Sequence, residues 1–390
     1  MSYFTEEPEH ISLLRQTIRR FVETEIPRES ARQWDREHRF PPELFRKLAD
    51  LGVCGLTIDQ EYGGHGRDLL AAVAVIEELA RRGGAAVGPF IQCAFYGGIN
   101  ISENGSEQQK RELLPKLARG DLIFAYGLTE PDVGGDLASV KTTCRRSNDG
   151  TKLILNGSKR WCTGAEFADY IYCLVRTGPA EARYKNLSFV LVPKGTPGVS
   201  IHPIDHINIR YTLSSDVVFE DAEISPDMIV GGEAGWQTGW NMLAGEALDV
   251  EKLEITAYTF GVASAAVEDA WQYAEEREQF GKPISGHQAV RHALVEARTK
   301  LQACRHMLYH ATWLANERKP CSVETSMAKL YVADTSVEIA LICQQVMGAY
   351  GLSGEYDMER YVRDLLGMPI VGGSSNMQKN NIANRLGLRS

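Results

Sequence analysis

Residues 139–164, SVKTTCRRSNDGTKLILNGSKRWCTG, mark the point where the pattern of this 390-residue chain changes. Ser139–Arg145 and Thr151–Leu155 are short runs of strand-forming residues, and Ser147-Asn148-Asp149-Gly150 between them is typical of a hairpin turn. Similar short runs follow at Tyr170–Arg176, Leu187–Pro193 and Asp216–Ile224. Because no helical pattern separates these runs, we predict a small antiparallel β-barrel or sandwich rather than a parallel sheet with crossover helices.

Helical patterns occupy the chain before this β region. Apolar residues recur at three- and four-residue steps from Ile11 to Val22 and again over Leu69–Ala80. Ser106 followed by Gln109 is typical of a capping box that begins a helix, which we expect to end near Gly120. No convincing strand precedes residue 122.

Long helical patterns return from about Gln237, with breaks near Gly281-Lys282-Pro283, Lys319-Pro320 and Gly351–Gly354. The resulting order is helical, β, helical, and each part has the size of an ordinary domain. We therefore predict a multi-domain α+β protein with an N-terminal helical domain (1–121), a middle antiparallel β-barrel domain (122–232) and a C-terminal helical bundle (233–390).

The composition is that of a soluble globular protein, with 44% hydrophobic and 24% charged residues. A net charge of −9 argues against non-specific nucleic-acid binding, which needs a basic surface. No run reaches the roughly 18 apolar residues of a membrane span. The eight cysteines contain no Cys-x-x-Cys pair, so neither a zinc site nor a disulfide framework is predicted. We expect a reduced, cytoplasmic protein with no membrane or nucleic-acid partner.

Common short motifs of enzymes are missing. The chain contains no Gly-x-Gly-x-x-Gly after a strand, no Walker loop and no Gly-x-Ser-x-Gly elbow. His306 and His310 share a helical face, but the Glu of a zinc-protease motif does not follow His306. Packing or surface roles are therefore favoured for both histidines, and no metal is predicted.

Two local features are candidates for ligand binding. The turn residues Thr129–Asp136 allow a flat or phosphorylated ligand to approach the backbone closely, although an ordinary loop explains them as well. Trp161 and Thr163 offer a stacking surface and a hydroxyl side by side, the alternative being a buried Trp in a turn. The residues alone favour an ordinary loop for the first feature and do not decide between the two interpretations of the second.

Five segments in this order resemble the acyl-CoA dehydrogenase family, and the resemblance covers nearly the whole chain. They are Ala125–Pro131, Asn156–Thr163, Arg277–Ile284, Gln345–Gly351 and the stretch from Arg360-Tyr361-Val362-Arg363-Asp364 to Gly372–Gln378. The resemblance implies FAD bound between the β domain and the C-terminal helices, with part of the site supplied by a neighbouring subunit of a homotetramer.

Cofactor contacts follow from the resemblance position by position. Tyr126, Leu128 and Thr129 would line the isoalloxazine ring, Trp161 would pack against it, and Thr163 would bond near its N5 edge. Arg277, Gln279 and Phe280 resemble the segment that reaches a partner's FAD, where an Arg fork suits a diphosphate. Further implied cofactor contacts are Gly135, Gln288, Gln345, Gly348, Ser374 and Asn376.

The family chemistry needs a carboxylate that removes the proton alpha to a thioester. Many members carry this base at the position of Gly372, which has no side chain. A subset that resembles the isovaleryl-CoA dehydrogenases places it in a Leu-Asp-x-Glu pattern, matched here by Leu248–Glu251, so Glu251 is the predicted base. A surface acid on a helix that also carries Glu246 and Glu254 is the alternative.

Further roles and departures also follow from the resemblance. The Gly372 N–H would bond the thioester oxygen, and Asp249 and Lys252 would contribute to substrate binding. Lys252 stands where the family usually has Arg, Gly135 replaces a Ser, and Ala349 replaces a Gly. These departures leave the handling of CoA and substrate open.

The implied function is FAD-dependent dehydrogenation of an acyl-CoA to 2,3-enoyl-CoA, with an electron-transfer flavoprotein as acceptor. Two alternatives stay open. One is an enoyl-CoA reductase, similar to crotonobetainyl-CoA reductases, that uses the same site in reverse. The other is a non-dehydrogenating relative, either a flavin-binding subunit or an oxidase.

Overall fold

A computed structural model describes residues 7–82 and 84–388 of the chain. Its helices are α1 (Glu9–Glu25), α2 (Arg28–Glu37), α3 (Pro42–Ala49), α4 (Leu69–Ala80), α5 (Val87–Ile91), α6 (Asn100–Asn104), α7 (Glu107–Ala118), α8 (Gly239–Leu243), α9 (Glu246–Glu276), α10 (Gln288–Asn316), α11 (Ser322–Met347), α12 (Met358–Leu366) and α13 (Ser375–Arg385). Its strands are β1 (Phe124–Gly127), β2 (Thr143–Arg146), β3 (Leu153–Thr163), β4 (Tyr170–Arg176), β5 (Leu187–Pro193), β6 (Val199–Pro203), β7 (Ser214–Ile224), β8 (Glu278–Gln279) and β9 (Lys282–Pro283).

The N-terminal part is helical, and local signals place its helices. The Ser106 hydroxyl accepts from the Gln109 N–H, and the Gln109 side chain accepts from the Ser106 N–H, so the predicted capping box begins α7. Helix α4 has the predicted bounds and is buried along its whole length. A π-helical stretch, Gln92–Ile99, joins α5 to α6 into one continuous helical rod.

The middle part is one seven-stranded sheet that curls around its own apolar core. The predicted hairpin is present as the antiparallel pair β2–β3, and β3–β7, β6–β7 and β4–β5 are antiparallel too. Strand β1 runs parallel to β4, a departure from a purely antiparallel arrangement. No ladder joins the outer strands β5 and β6 within the described part of the chain, so the barrel is open on that side.

The C-terminal part is a helical bundle in which the long helices α9, α10 and α11 pack on one another. Its breaks lie where Gly and Pro residues predicted them, and the short hairpin β8–β9 fills the first. Helix α4 packs against both α9 and α10, so the two helical parts share one core. None of the helices in residues 7–82 and 84–388 is long and apolar enough to span a membrane.

All eight cysteines are buried. Among the described residues, no group of three or more His, Cys, Asp or Glu side chains has a geometry that suits a metal ion.

Candidate functional site

Glu251 lies in the second turn of α9 and faces the β domain. It lines a narrow pocket with Ala247 and Leu248 from its own helix, Asn100 from α6, and an aromatic wall of Tyr126, Tyr172 and Phe189. The free volume of about 10 Å³ holds roughly one water molecule. The predicted base therefore lies in a largely dry, aromatic pocket and not on the outer surface of its helix.

This environment changes the acidity of Glu251. Burial raises its pKa to about 7, against the opposing attraction of the Lys252 and Lys329 ammonium groups. Lys329 itself is buried, and its Nζ donates to the Met368 carbonyl at 2.9 Å. A carboxylate with a pKa close to neutral is well suited to act as a general base.

A second acid, Glu254, lies one helical turn further along α9. Its side chain is completely buried, and neither carboxylate oxygen has a hydrogen-bond partner among the residues that the structure describes. Burial and the nearby charge of Glu251 raise its pKa well above the usual value. The sequence alone left Glu254 among the surface acids of α9, and the structure shows that this reading is wrong.

Gly372 lies against the same face of α9. A Cβ at this position would come within 3.1 Å of Ile255, which is one turn from Glu251. Its backbone has a φ of +61°, which glycine adopts without strain. The Gly372 N–H donates no hydrogen bond to any residue that the structure describes, so it is available for a ligand oxygen.

Asp249 and Lys252 are committed to internal contacts. The Lys252 Nζ lies 2.8 Å from Asp249 Oδ1, and Asp249 also accepts from the Ser322 and Thr325 hydroxyls of α11. Lys252 is almost completely buried. The structure therefore gives this pair a part in holding α9 on α11 beside Glu251, and their predicted contact with substrate stays a prediction.

Trp161 is presented by an irregularity in the sheet. The register of β3 against β7 shifts between Lys159 and Cys162, which is the mark of a β-bulge, and Trp161 adopts a left-handed φ of +63°. Trp161 is 49% exposed, and the Arg160 guanidinium lies 5.0 Å from its ring centroid. Trp161 is thus not a buried Trp in a turn but an exposed aromatic plane, which suits a flat ligand such as a flavin.

A buried ion pair fixes the loop beside Trp161. Lys159 Nζ lies 2.8 Å from Glu130 Oε1, and both side chains are buried. Glu130 also accepts from the Lys141 and Thr142 N–H groups, and its pKa stays below the usual value because these contacts outweigh its burial. The Arg160 N–H donates to the Thr129 carbonyl at 2.8 Å. Leu128 and Thr129 are thereby held next to the bulge that carries Trp161.

The turn 129–136 also connects the β domain to α13. A Cβ on Gly135 would lie 3.0 Å from the sulfur of Met377, so the turn 129–136 approaches the start of α13. Ser374 caps that helix by accepting from the Met377 N–H, and Asn376 lies exposed in its first turn. Thr163 completes the group, 3.1 Å from the Ser214 hydroxyl.

A second set of predicted residues lies far from the first. Helix α9 has 31 residues and is therefore about 46 Å long. Glu251 lies near its start, whereas Arg277 follows its last residue and lies over the Tyr350 ring. The predicted cofactor residues at this far end are all exposed: Arg277, Gln279, Phe280, Gln288, Gln345 and Gly348. Within one chain, the structure does not bring this set to Trp161.

Sequence reasoning missed the helical wall opposite Glu251. Tyr96 stacks on Tyr126 with ring centroids 3.8 Å apart, and Asn100 donates to the Tyr126 hydroxyl. Gln92 donates to the Thr163 carbonyl at 2.9 Å. Gln92 and Tyr96 lie in the π-helical stretch, and such stretches are frequent at functional sites. Its sequence, Gln92–Ile99, carries no pattern that distinguishes it from an ordinary helix.

Comparison with known proteins agrees with this layout. Models of the acyl-CoA dehydrogenase N-terminal, middle and C-terminal domains match residues 8–121, 125–222 and 237–387. An acyl-CoA dehydrogenase of Bacillus subtilis (strain 168) is 33% identical over 94% of this chain and 95% of its own. An acryloyl-CoA reductase (NADH) of Anaerotignum propionicum is 31% identical over 94% and 92%.

Solved structures agree as well. The structure of butyryl-CoA dehydrogenase from Megasphaera elsdenii matches with a TM-score of 0.93 and 27% identity, covering 98% of this chain and 99% of that one. The three domain matches follow one another in the order of the helical, β and helical parts of the fold. The chain belongs to the acyl-CoA dehydrogenase family, whose members are FAD-dependent oxidoreductases that act on CH–CH groups.

Proposed function

We propose that this protein is an FAD-dependent acyl-CoA dehydrogenase with Glu251 as its catalytic base. The observation that supports this most strongly is the placement of Glu251, whose pKa is raised to about 7, one turn from the site where Gly372 packs on α9. The two positions at which the family resemblance places a base thus lie side by side. Of the two, only residue 251 has a side chain that can take a proton.

The cofactor would occupy the face marked by the exposed Trp161 ring. Trp161, Leu128, Thr129 and Thr163 would hold the flavin ring, with Tyr126 behind it in the pocket wall. Gly135, Ser374 and Asn376 would approach the chain that links the ring to the phosphates. When bound, FAD supplies the acceptor for the hydride that leaves the β carbon.

The chain's own residues would carry out the proton chemistry. The Glu251 carboxylate removes the α proton of the thioester and becomes a carboxylic acid. The Gly372 N–H donates to the thioester oxygen and stabilises the negative charge that develops there. The aromatic walls exclude water, which strengthens both interactions.

The proposal also covers the oligomeric state and the electron acceptor. Arg277, Gln279, Phe280, Gln288, Gln345 and Gly348 lie too far from Trp161 to serve the same cofactor, so a second copy would supply them in a homotetramer. The electrons would pass to an electron-transfer flavoprotein in the cytoplasm.

The test of this proposal is anaerobic titration of the purified holoenzyme with a panel of saturated acyl-CoAs. The protein should be yellow and retain FAD, and at least one thioester should bleach the flavin absorbance near 450 nm. Colourless protein that also fails to bind added FAD would refute the proposal, and so would a flavin that no acyl-CoA of the panel reduces.

The reverse reaction, enoyl-CoA reduction, is a second candidate because of the similarity to an acryloyl-CoA reductase. The same residues would serve, with Glu251 returning a proton to the α carbon. Dithionite-reduced enzyme should then be reoxidised by an enoyl-CoA much faster than oxidised enzyme is bleached by the matching acyl-CoA. The opposite order of rates would favour the dehydrogenase.

A further inference from the structure

Glu254 has no part in the mechanism proposed above, yet it lies beside that site. It is one turn from Glu251 on α9, and its carboxyl is fully buried, with no hydrogen bond from residues 7–82 or 84–388 to either oxygen. Leaving a buried polar group without a hydrogen bond costs about 1–3 kcal/mol. The neighbouring ammonium groups do not meet this need, because Lys252 pairs with Asp249 and Lys329 donates to the Met368 carbonyl.

The surroundings of Glu254 show where a ligand atom would have to lie to form a hydrogen bond with its carboxyl. The Tyr96 hydroxyl lies close enough to Glu254 for the two groups to shift each other's pKa, although no hydrogen bond joins them. Tyr96 stacks directly on Tyr126, and Tyr126 lines the pocket. Asn100, one turn after Tyr96, lines it too. Glu254 therefore lies behind the first layer of the pocket wall, at the end away from the pocket residues Ala247 and Leu248.

The pocket is more polar than a hydrocarbon chain requires. Glu254 lies behind the wall, and in the wall itself the buried hydroxyl of Tyr172 has no hydrogen-bond partner among the described residues. A plain alkyl chain would leave these groups unsatisfied and would also keep water from reaching them. A chain that carries an oxygen or nitrogen at this depth would give them partners.

We propose that Glu254 is a specificity-determining residue that selects acyl groups with a polar, hydrogen-bonding atom about one helical turn beyond the carbon deprotonated by Glu251. One turn of three residues is about 4.5 Å along α9, which corresponds to roughly three or four bonds of an acyl chain. This inference rests on the proposed function, since it concerns the acyl group that the same site accepts. Burial and the charge of Glu251 raise the pKa of Glu254 and so favour its protonated form. In that form the carboxyl donates to an acceptor on the chain, and the acidic proton stays on Glu254.

The test compares two thioesters of equal length, hexanoyl-CoA and 4-methoxybutanoyl-CoA, which differ only by an ether oxygen in place of a methylene. The readout is the ratio of their rate constants for anaerobic flavin reduction. The wild type should favour the ether. Glu254→Leu should shift the ratio towards hexanoyl-CoA by about 5- to 100-fold, whereas Glu254→Gln, whose amide can still donate, should keep most of the preference.

Two controls separate specificity from structure. Glu276→Gln, at the exposed far end of α9, should leave the ratio unchanged. Glu254→Leu should unfold at the same temperature as the wild type or higher, because it removes a buried polar group. If the ratio of the two rate constants is unchanged in Glu254→Leu, including the case in which both rate constants fall equally, the inference is overturned while the proposed function stands. Absence of flavin reduction by these and every other acyl-CoA would instead refute the proposed function.

Discussion

At the scale of single residues, the acidity of Glu251 governs the proposed chemistry. Desolvation raises its pKa, and only the ionised form accepts the α proton, so the base is lost as the pH falls below about 7. We predict that kcat/KM rises with pH through a midpoint near 7 and levels off above it. Stopped-flow or steady-state rates between pH 5.5 and 9 would measure this.

A Lys329 variant independently tests how the surroundings of Glu251 set its pKa. Its charge lowers the pKa of Glu251, so Lys329→Met should move the midpoint upwards. A wild-type profile that is flat from pH 5.5 upwards would contradict the assigned environment, and so would a midpoint that falls in the variant.

At the scale of elements, two Lys–Glu pairs lie on or next to strand β3, one of them buried and the other exposed. Lys159–Glu130 is buried and anchors the loop beside Trp161, whereas Lys152–Glu223, just before β3, is exposed. Lys159→Met would leave the Glu130 carboxylate buried and unpaired, at a cost of about 3–5 kcal/mol in unfolding free energy. Lys152→Met should change the unfolding free energy far less, because an exposed ion pair contributes little to stability.

Urea unfolding and the retained FAD content measure the two variants side by side. Lys159→Met should also lose FAD more easily, because the Thr129 loop is released from the strand that presents Trp161. Equal stability losses in both variants, or full FAD retention by a destabilised Lys159→Met, would show that the ion pair does not organise the site.

At the scale of the whole molecule, the two ends of α9 would serve two different active sites. We predict that Glu251→Gln and Arg277→Ala are each strongly impaired alone but complement each other when co-expressed. A mixed pair of chains contains one site with both native residues, so random pairing should restore about a quarter of the wild-type activity. If Arg277 acted within its own chain, the mixture would show no activity beyond that of its components.

How far the sequence predicted this molecule depends on the range of the interactions involved. The capping box at Ser106, the end of α4 at Ala80 and the β2–β3 hairpin are set by neighbouring residues, and all were predicted correctly. The parallel pairing of β1 with β4 joins strands more than 40 residues apart and has no local signal. The same holds for the bulge that turns Trp161 outwards.

The candidate site divides in the same way. Glu251 and Gly372 were found through the family resemblance, and the structure brings both to one face of α9. Glu254 was missed because its burial arises from the packing of α9 against the rod that contains Tyr96. Two charged residues three positions apart on a helix are usually both exposed to solvent. Only the tertiary contacts show that Glu254 is buried instead.

The central claim is that Glu251 takes the α proton, and anaerobic flavin bleaching by an accepted acyl-CoA tests it most directly. Glu251→Gln should retain FAD and its yellow colour, with bleaching slowed by about 10²- to 10⁴-fold, while Glu276→Gln on the same helix should bleach at the wild-type rate. Near-normal bleaching in Glu251→Gln with full FAD content would place the base elsewhere and contradict this account.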